Sequence, residues 1–123
     1  MSPHDRWLEM VREHPELHAF LSGLRPGEVL SGTVAAVENF GVFVRLDDGP
    51  AHPSYPGAGF VTIPDLSWRH VGDPSDVVAV GQRVSGAFLE YDTWQMEARM
   101  SLRALKPDSR RRDRPGAAQG GAG

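Results

Sequence analysis

Apolar and polar side chains alternate through "GVFVRL". Val42, Val44 and Leu46 fall on one face of an extended segment, and Phe43 and Arg45 fall on the other. A period of two predicts a strand with one face in a core. Four more stretches read the same way. "GEVLSGTVAAVENF" is rich in β-branched and small residues, with Gly32 inside it as a bend or bulge signal. "GFVTIPDL" is a strand stopped by Pro64. "QRVSGAFLEYD" and "WQMEARMSLRAL" are two strands around a turn near Asp92–Thr93, with Trp94 opening the second. Between the third and fourth strands, "SWRHVGDPSDVVAVG" lacks alternation and predicts a loop with a short helical turn around residues 76–80.

The first 24 residues follow a different period. Trp7, Leu8 and Val11, then Leu17, Phe20, Leu21 and Leu24, recur at spacings of three and four. Pro15 removes a hydrogen bond and clashes with the preceding turn, so two short helices are expected, with Pro15 in the first turn of the second. Their apolar stripe is expected to pack on the main domain; a partner-binding helix is the alternative. Three segments result: a helical extension at 1–25, a five-stranded β domain at 26–106, and a tail at 107–123 too poor in apolar side chains to offset its ordering entropy. Five strands with one helical piece between the third and fourth match a small, partly open OB barrel.

Composition narrows the function classes. The 123 residues contain no cysteine, which excludes a disulfide scaffold, a cysteine nucleophile and thiolate metal sites. The first ten residues carry acids and no apolar run, and no stretch reaches the roughly 18 apolar residues of a membrane helix. A soluble, cytoplasmic protein is expected. The net charge of −3 shows no bulk basic patch. The tail differs, with four arginines against two aspartates. It reads either as a plain solvated terminus or as an electrostatic arm for phosphates.

Catalytic patterns are absent. There is no GxSxG, SxxK or P-loop sequence. His14 and His18 are four apart, but Pro15 interrupts them and no third ligand lies near, so they read as surface histidines. No enzyme activity, cofactor or metal is expected.

The ordered motifs "GEVLSGTVAAVENFGVFVRL", "GFVTIPDLSW", "DPSDVVAVGQRVSGAFLEYD" and "RMSLRAL" resemble the RNA-binding domain of the ribosomal protein S1 family. The resemblance covers about residues 26–106 and implies an OB barrel binding single-stranded RNA. In that family RNA meets two aromatics on the second strand, a histidine on the third, and an aspartate and an arginine on the last two. These positions fall on Phe40, Phe43, Thr62, Asp92 and Arg99. Thr62 and the following Pro64 depart from the pattern. Losing the histidine removes one ring and one phosphate donor.

Exposed rings can stack on bases, which is worth about 1–3 kcal/mol per base. Strict alternation separates Phe40 from Phe43, so a bulge at Gly41 is expected to bring both to one surface. The competing packing has Phe40 plugging the barrel mouth and Phe43 under the N-terminal helix. Arg45 continues the Phe43 face, either as a phosphate contact or as a solvated side chain. Asp92 either accepts from a base edge or shapes its turn. His52 and Tyr55 sit in a loop at the rim. Trp68 is expected in the core. The reading is an RNA-binding module whose partners are single-stranded RNA and the ribosome or RNA-processing machinery. A protein-interaction module on the same barrel is the alternative.

Overall fold

The computed structural model describes residues 2–107. Two helices, α1 (Pro3–Glu13) and α2 (Pro15–Ser22), precede five strands. The strands are β1 (Val29–Glu38), β2 (Gly41–Leu46), β3 (Gly59–Thr62), β4 (Arg83–Asp92) and β5 (Glu97–Ser101). They form a closed barrel in the order β1-β2-β3-β5-β4, antiparallel except for the parallel β3–β5 pair. The expected five-stranded barrel is therefore present, and it closes rather than staying partly open.

The predicted alternation supplies the core. Val42 and Val44 are fully buried and Leu46 nearly so, beside Val34, Val61, Ala98 and Met100 from the other strands. Gly32 lets β1 cross β2 closely: a Cβ there would lie 2.3 Å from the Arg45 carbonyl oxygen. The register slips between Val34 and Ala36 on β1, and again between Phe88 and Glu90 on β4. These irregularities coil the two long strands around so small a barrel. The bulge expected at Gly41 does not occur there.

Residues 63–82 carry the chain from β3 to β4. The helical turn expected at 76–80 lies earlier, as a 3-10 turn at Pro74–Asp76. The Asp73 side chain accepts from the Ser75 N–H and Pro74 fixes the backbone, so the turn starts at the cap. Leu66 is fully buried and Trp68 is not, which corrects the core assignment. The Trp68 Nε1–H donates to the carbonyls of Arg103 and Lys106, and Arg103 lies over its ring. Trp68 thus fastens the chain beyond β5. Trp94 sits in the β4–β5 turn rather than on a strand, and is 60% exposed.

Pro15 breaks the N-terminal segment as expected, with His14 joining the two helices. Ser2 caps α1 by accepting from the Asp5 N–H. Leu17 and Leu21 of α2 join the barrel's core. The Phe20 ring lies over Gly49, three residues beyond the end of β2. The Tyr91 hydroxyl on β4 accepts from Trp7 Nε1–H and lies 3.1 Å from His18 Nδ1. The extension is thus packed on the barrel. All of the Arg/Gly-rich tail except Pro107, including its expected disorder and phosphate contacts, lies outside the described residues.

Docking of α2 has a measurable consequence. Leu17→Ala should lower stability by about 2–5 kcal/mol in denaturant unfolding, as for other core leucines. A helix merely tethered to the barrel would change it by less than about 0.5 kcal/mol.

Candidate functional site

The outer face of β2, β3 and β5 carries a groove of about 350 Å³. It is lined by Phe40, Phe43, Tyr55, Phe60, Thr62, Asp92, Gln95, Glu97 and Arg99. Strand register explains why they meet. Phe43 pairs with Phe60 across β2–β3, and Phe60 pairs with Arg99 across β3–β5. Asp92 pairs with Glu97 across β4–β5. Thr62 follows Phe60 by two, and Arg99 follows Glu97 by two, so each shares its neighbour's face.

Phe43 is the hub of the aromatic set. Its ring centroid lies 5.1 Å from Phe60, 5.5 Å from Tyr55 and 6.1 Å from Phe40. It points away from the barrel core yet is only 6% exposed, because these rings cover it. Phe40 lies in the turn between β1 and β2, 58% exposed, with its ring 6.0 Å from that of Phe60 and tilted by 27°. Gly41 makes this approach possible, since a Cβ there would lie 2.3 Å from Phe60 Cζ. Phe40 and Phe43 do share a surface, through the turn and not through a bulge. Phe40 does not plug the barrel mouth, and the rings over Phe43 come from the barrel rather than from the N-terminal helices.

Tyr55 is held in place by a latch. His52 is buried, and its Nδ1 accepts from the Ser54 and Tyr55 N–H groups. Nε2 therefore carries the proton and donates to the Gln95 carbonyl at 2.8 Å. Burial keeps the imidazole neutral by lowering its pKa below the usual histidine value, against the upward pull of its bonds to the β4–β5 turn. The Tyr55 hydroxyl donates to Gln95 Oε1. The loop rim is thus fastened to the β4–β5 turn and completes the aromatic wall.

Asp92 shapes its turn, accepting from the Trp94 and Gln95 N–H groups through Oδ1, and it also lines the groove. Thr62 donates to Asp65 Oδ2. Arg99 makes a 3.4 Å ion pair with Glu90. Arg45 is exposed and does not line the groove. Of the six residues singled out in the sequence, five line this groove and Arg45 stands apart. Phe60, Gln95 and Glu97 were missed and Tyr55 was placed only at the rim. Two-residue spacing to Thr62 and Arg99 marks Phe60 and Glu97, whereas nothing local marks Tyr55 or Gln95. His18 contacts Tyr91, and among the described residues no group of three or more potential ligands could hold a metal.

Glu97 is only 3% exposed, and its pKa is pushed up to about 8. Burial is the main cause, and the Asp92 charge adds to it against the opposing pull of Arg99. The folded protein therefore holds a proton that the unfolded chain releases near the ordinary carboxyl value. The stability from this difference is full below that value and falls as pH rises toward 8. Thermal unfolding should show the midpoint dropping over this interval, and Glu97→Gln should flatten the drop. An unchanged slope in the variant would assign it to other groups.

The model of the S1 RNA binding domain matches residues 24–103. The chain is 35% identical over 104 residues to the small ribosomal subunit protein bS1 of Mycobacterium tuberculosis strain H37Rv, covering 83% of this chain and 19% of that protein. It is 40% identical over 83 residues to protein tex of Bordetella pertussis, covering 68% of this chain and 10% of that protein. The chain thus spans at most about a fifth of these relatives. Among solved structures, the complex of a/eIF2alpha, aDim2p and rRNA from Pyrococcus horikoshii OT3 contains a chain similar over 71% of this one and 49% of its own length, at TM-score 0.55 and 27% identity. GSP13 from Bacillus subtilis shares the fold over 81% of this chain and 72% of its own length, at TM-score 0.56 and 24% identity. By sequence motif, barrel topology and family match together, the chain belongs to the S1 RNA binding domain family.

Proposed function

We propose that this protein is a non-catalytic module that binds single-stranded RNA across the groove on β2, β3 and β5. The observation that carries the reading is the Phe40 ring, 58% exposed and braced by Phe43 and Phe60. A base stacking on it would meet a ring already held in place, so little side-chain entropy would be lost. Residues 26–106 would be the binding domain, with 1–25 as its docked extension. The named relatives include ribosomal proteins, and one solved neighbour is part of a complex with rRNA. Both support RNA bound on the ribosome or in RNA processing, in the cytoplasm.

Arg99 would contact phosphate. Its pairing with Glu90 does not prevent this, because Glu90 is largely exposed and the 3.4 Å pair is long. Exposed pairs of this kind are worth less than about 1 kcal/mol, so a phosphate can compete for the guanidinium. Arg45 would act at the edge of the path. Thr62 and Asp92 would contribute as hydrogen-bonding groups on the groove wall. The acidic side chains at the groove, Asp92 and nearby Glu90, favour a second reading as a protein-binding surface. Salt dependence separates the two.

Affinity for a labelled single-stranded RNA should fall with salt at a log–log slope of about −0.7 per phosphate contacted. Phe40→Ala should cost about 1–3 kcal/mol of binding and leave the fold intact, since this ring is exposed. Phe43→Ala is a poorer probe, because it also removes the hub of the cluster. Arg99→Gln should reduce the slope by about one phosphate. Absence of binding at low salt, or normal binding by Phe40→Ala, contradicts the stacking reading.

A further inference from the structure

The groove contains one group that stacking and phosphate contacts leave unused. Glu97 begins β5, and its residue is almost entirely buried while its side chain lines the groove. Among the described residues its carboxyl makes no hydrogen bond. No buried side-chain oxygen or nitrogen lacks a partner there, so the carboxyl oxygens reach the groove itself. It stands opposite Asp92 and two residues before Arg99, on the face that carries Phe60 and Phe43. A polar group without a partner, aimed into an aromatic groove, is placed to meet the edge of a base stacked there.

We propose that Glu97 is a base-edge reader of this groove, hydrogen-bonding the Watson–Crick edge of a nucleotide stacked on the aromatic cluster. The inference rests on the RNA-binding reading above and adds specificity to it.

The chemistry depends on the proton. A neutral carboxyl offers one O–H donor and one carbonyl acceptor. That pair matches adenine, where an amino group adjoins a ring nitrogen acceptor, and cytosine for the same reason. An ionised carboxylate offers acceptors only. It repels the ring nitrogens of adenine and cytosine, and it suits the two adjacent N–H donors of guanine. Burial and the Asp92 charge keep Glu97 neutral near pH 7. Binding of adenine- or cytosine-rich RNA is then linked to retention of this proton, and affinity falls as pH rises through the titration.

The groups facing Glu97 allow this to be isolated. They are Asp92 on β4, Arg99 on β5 and Tyr55 from the β2–β3 loop, with Glu90 paired to Arg99 and His52 bonded to the Gln95 carbonyl of the β4–β5 turn. The His52 pKa lies below the usual histidine value, so the imidazole stays neutral across the upper range. Phe60 and Thr62 of β3 do not titrate.

The test uses the full chain and labelled single-stranded RNA octamers, one of adenosine and cytidine, the other alternating adenosine with guanosine in lithium buffer. Affinity is measured from about pH 6.5 to about pH 8.5, with circular dichroism at each point to verify folding. If only the neutral form takes adenine or cytosine, affinity for the first octamer falls about fourfold at half a unit above a pKa of about 8. The guanosine octamer should lose less than about twofold. Glu97→Gln keeps a donor and an acceptor at every pH, so its profile should be flat with affinity retained. Asp92→Asn should move the wild-type decline to lower pH, by removing the charge that holds the proton on Glu97. A flat wild-type profile, or a decline that persists in Glu97→Gln, overturns the reader role and leaves RNA binding standing. No binding of either octamer at any pH overturns the RNA reading itself, and this inference with it.

Discussion

Phe43 is an outward-pointing phenylalanine almost closed to water. Its strand partners Val42 and Val44 fill the barrel, so strand geometry sends its ring to the other face. An apolar ring there must be covered, and the cover comes from Tyr55, Phe60 and Phe40. Much of the outer face follows from meeting that demand. Tyr55 needs its loop held, which His52 and Gln95 accomplish. Phe40 needs a close approach of its turn to Phe60, which Gly41 allows. Phe40 is left with an exposed ring on a firm base, and such a surface suits stacking.

Electrostatics set the second layer. The chain carries a net charge of −3, and the groove places Asp92, Glu97 and Arg99 together, with Glu90 alongside. Two carboxylates facing each other across β4 and β5 cannot both ionise cheaply. Glu97 is deeply buried, so the proton stays there. The groove is therefore less negative than its composition suggests. An acidic chain can in this way keep an aromatic surface open to a polyanion.

Much of the fold was legible because it rests on local pattern. Alternation in "GVFVRL" identified the core face, and Pro15 divided the helices. The lining of the groove was legible where a motif carried it, as for Phe40, Phe43, Thr62, Asp92 and Arg99. Tyr55 was placed at the rim because its packing depends on a bond to Gln95, 40 residues away in sequence. Trp68 was expected in the core because the S1-like pattern often has a packing aromatic or apolar residue after "DLS". In the fold its indole instead binds backbone carbonyls beyond β5. Glu97 was passed over because its environment depends on Asp92 opposite, which only strand register reveals. The bulge was expected at the glycine, whereas the register slips instead between Val34 and Ala36 on β1 and between Phe88 and Glu90 on β4.

On the proposed reading, the aromatic face of β2, β3 and β5 receives the RNA. Side-chain NMR during titration with a single-stranded oligonucleotide tests it most directly. Shifts are expected on the rings of Phe40, Tyr55 and Phe60 and on the Arg99 guanidinium, with Leu17 and Leu21 of α2 unmoved. Shifts confined to the N-terminal helices, with those rings unchanged at saturation, would contradict it.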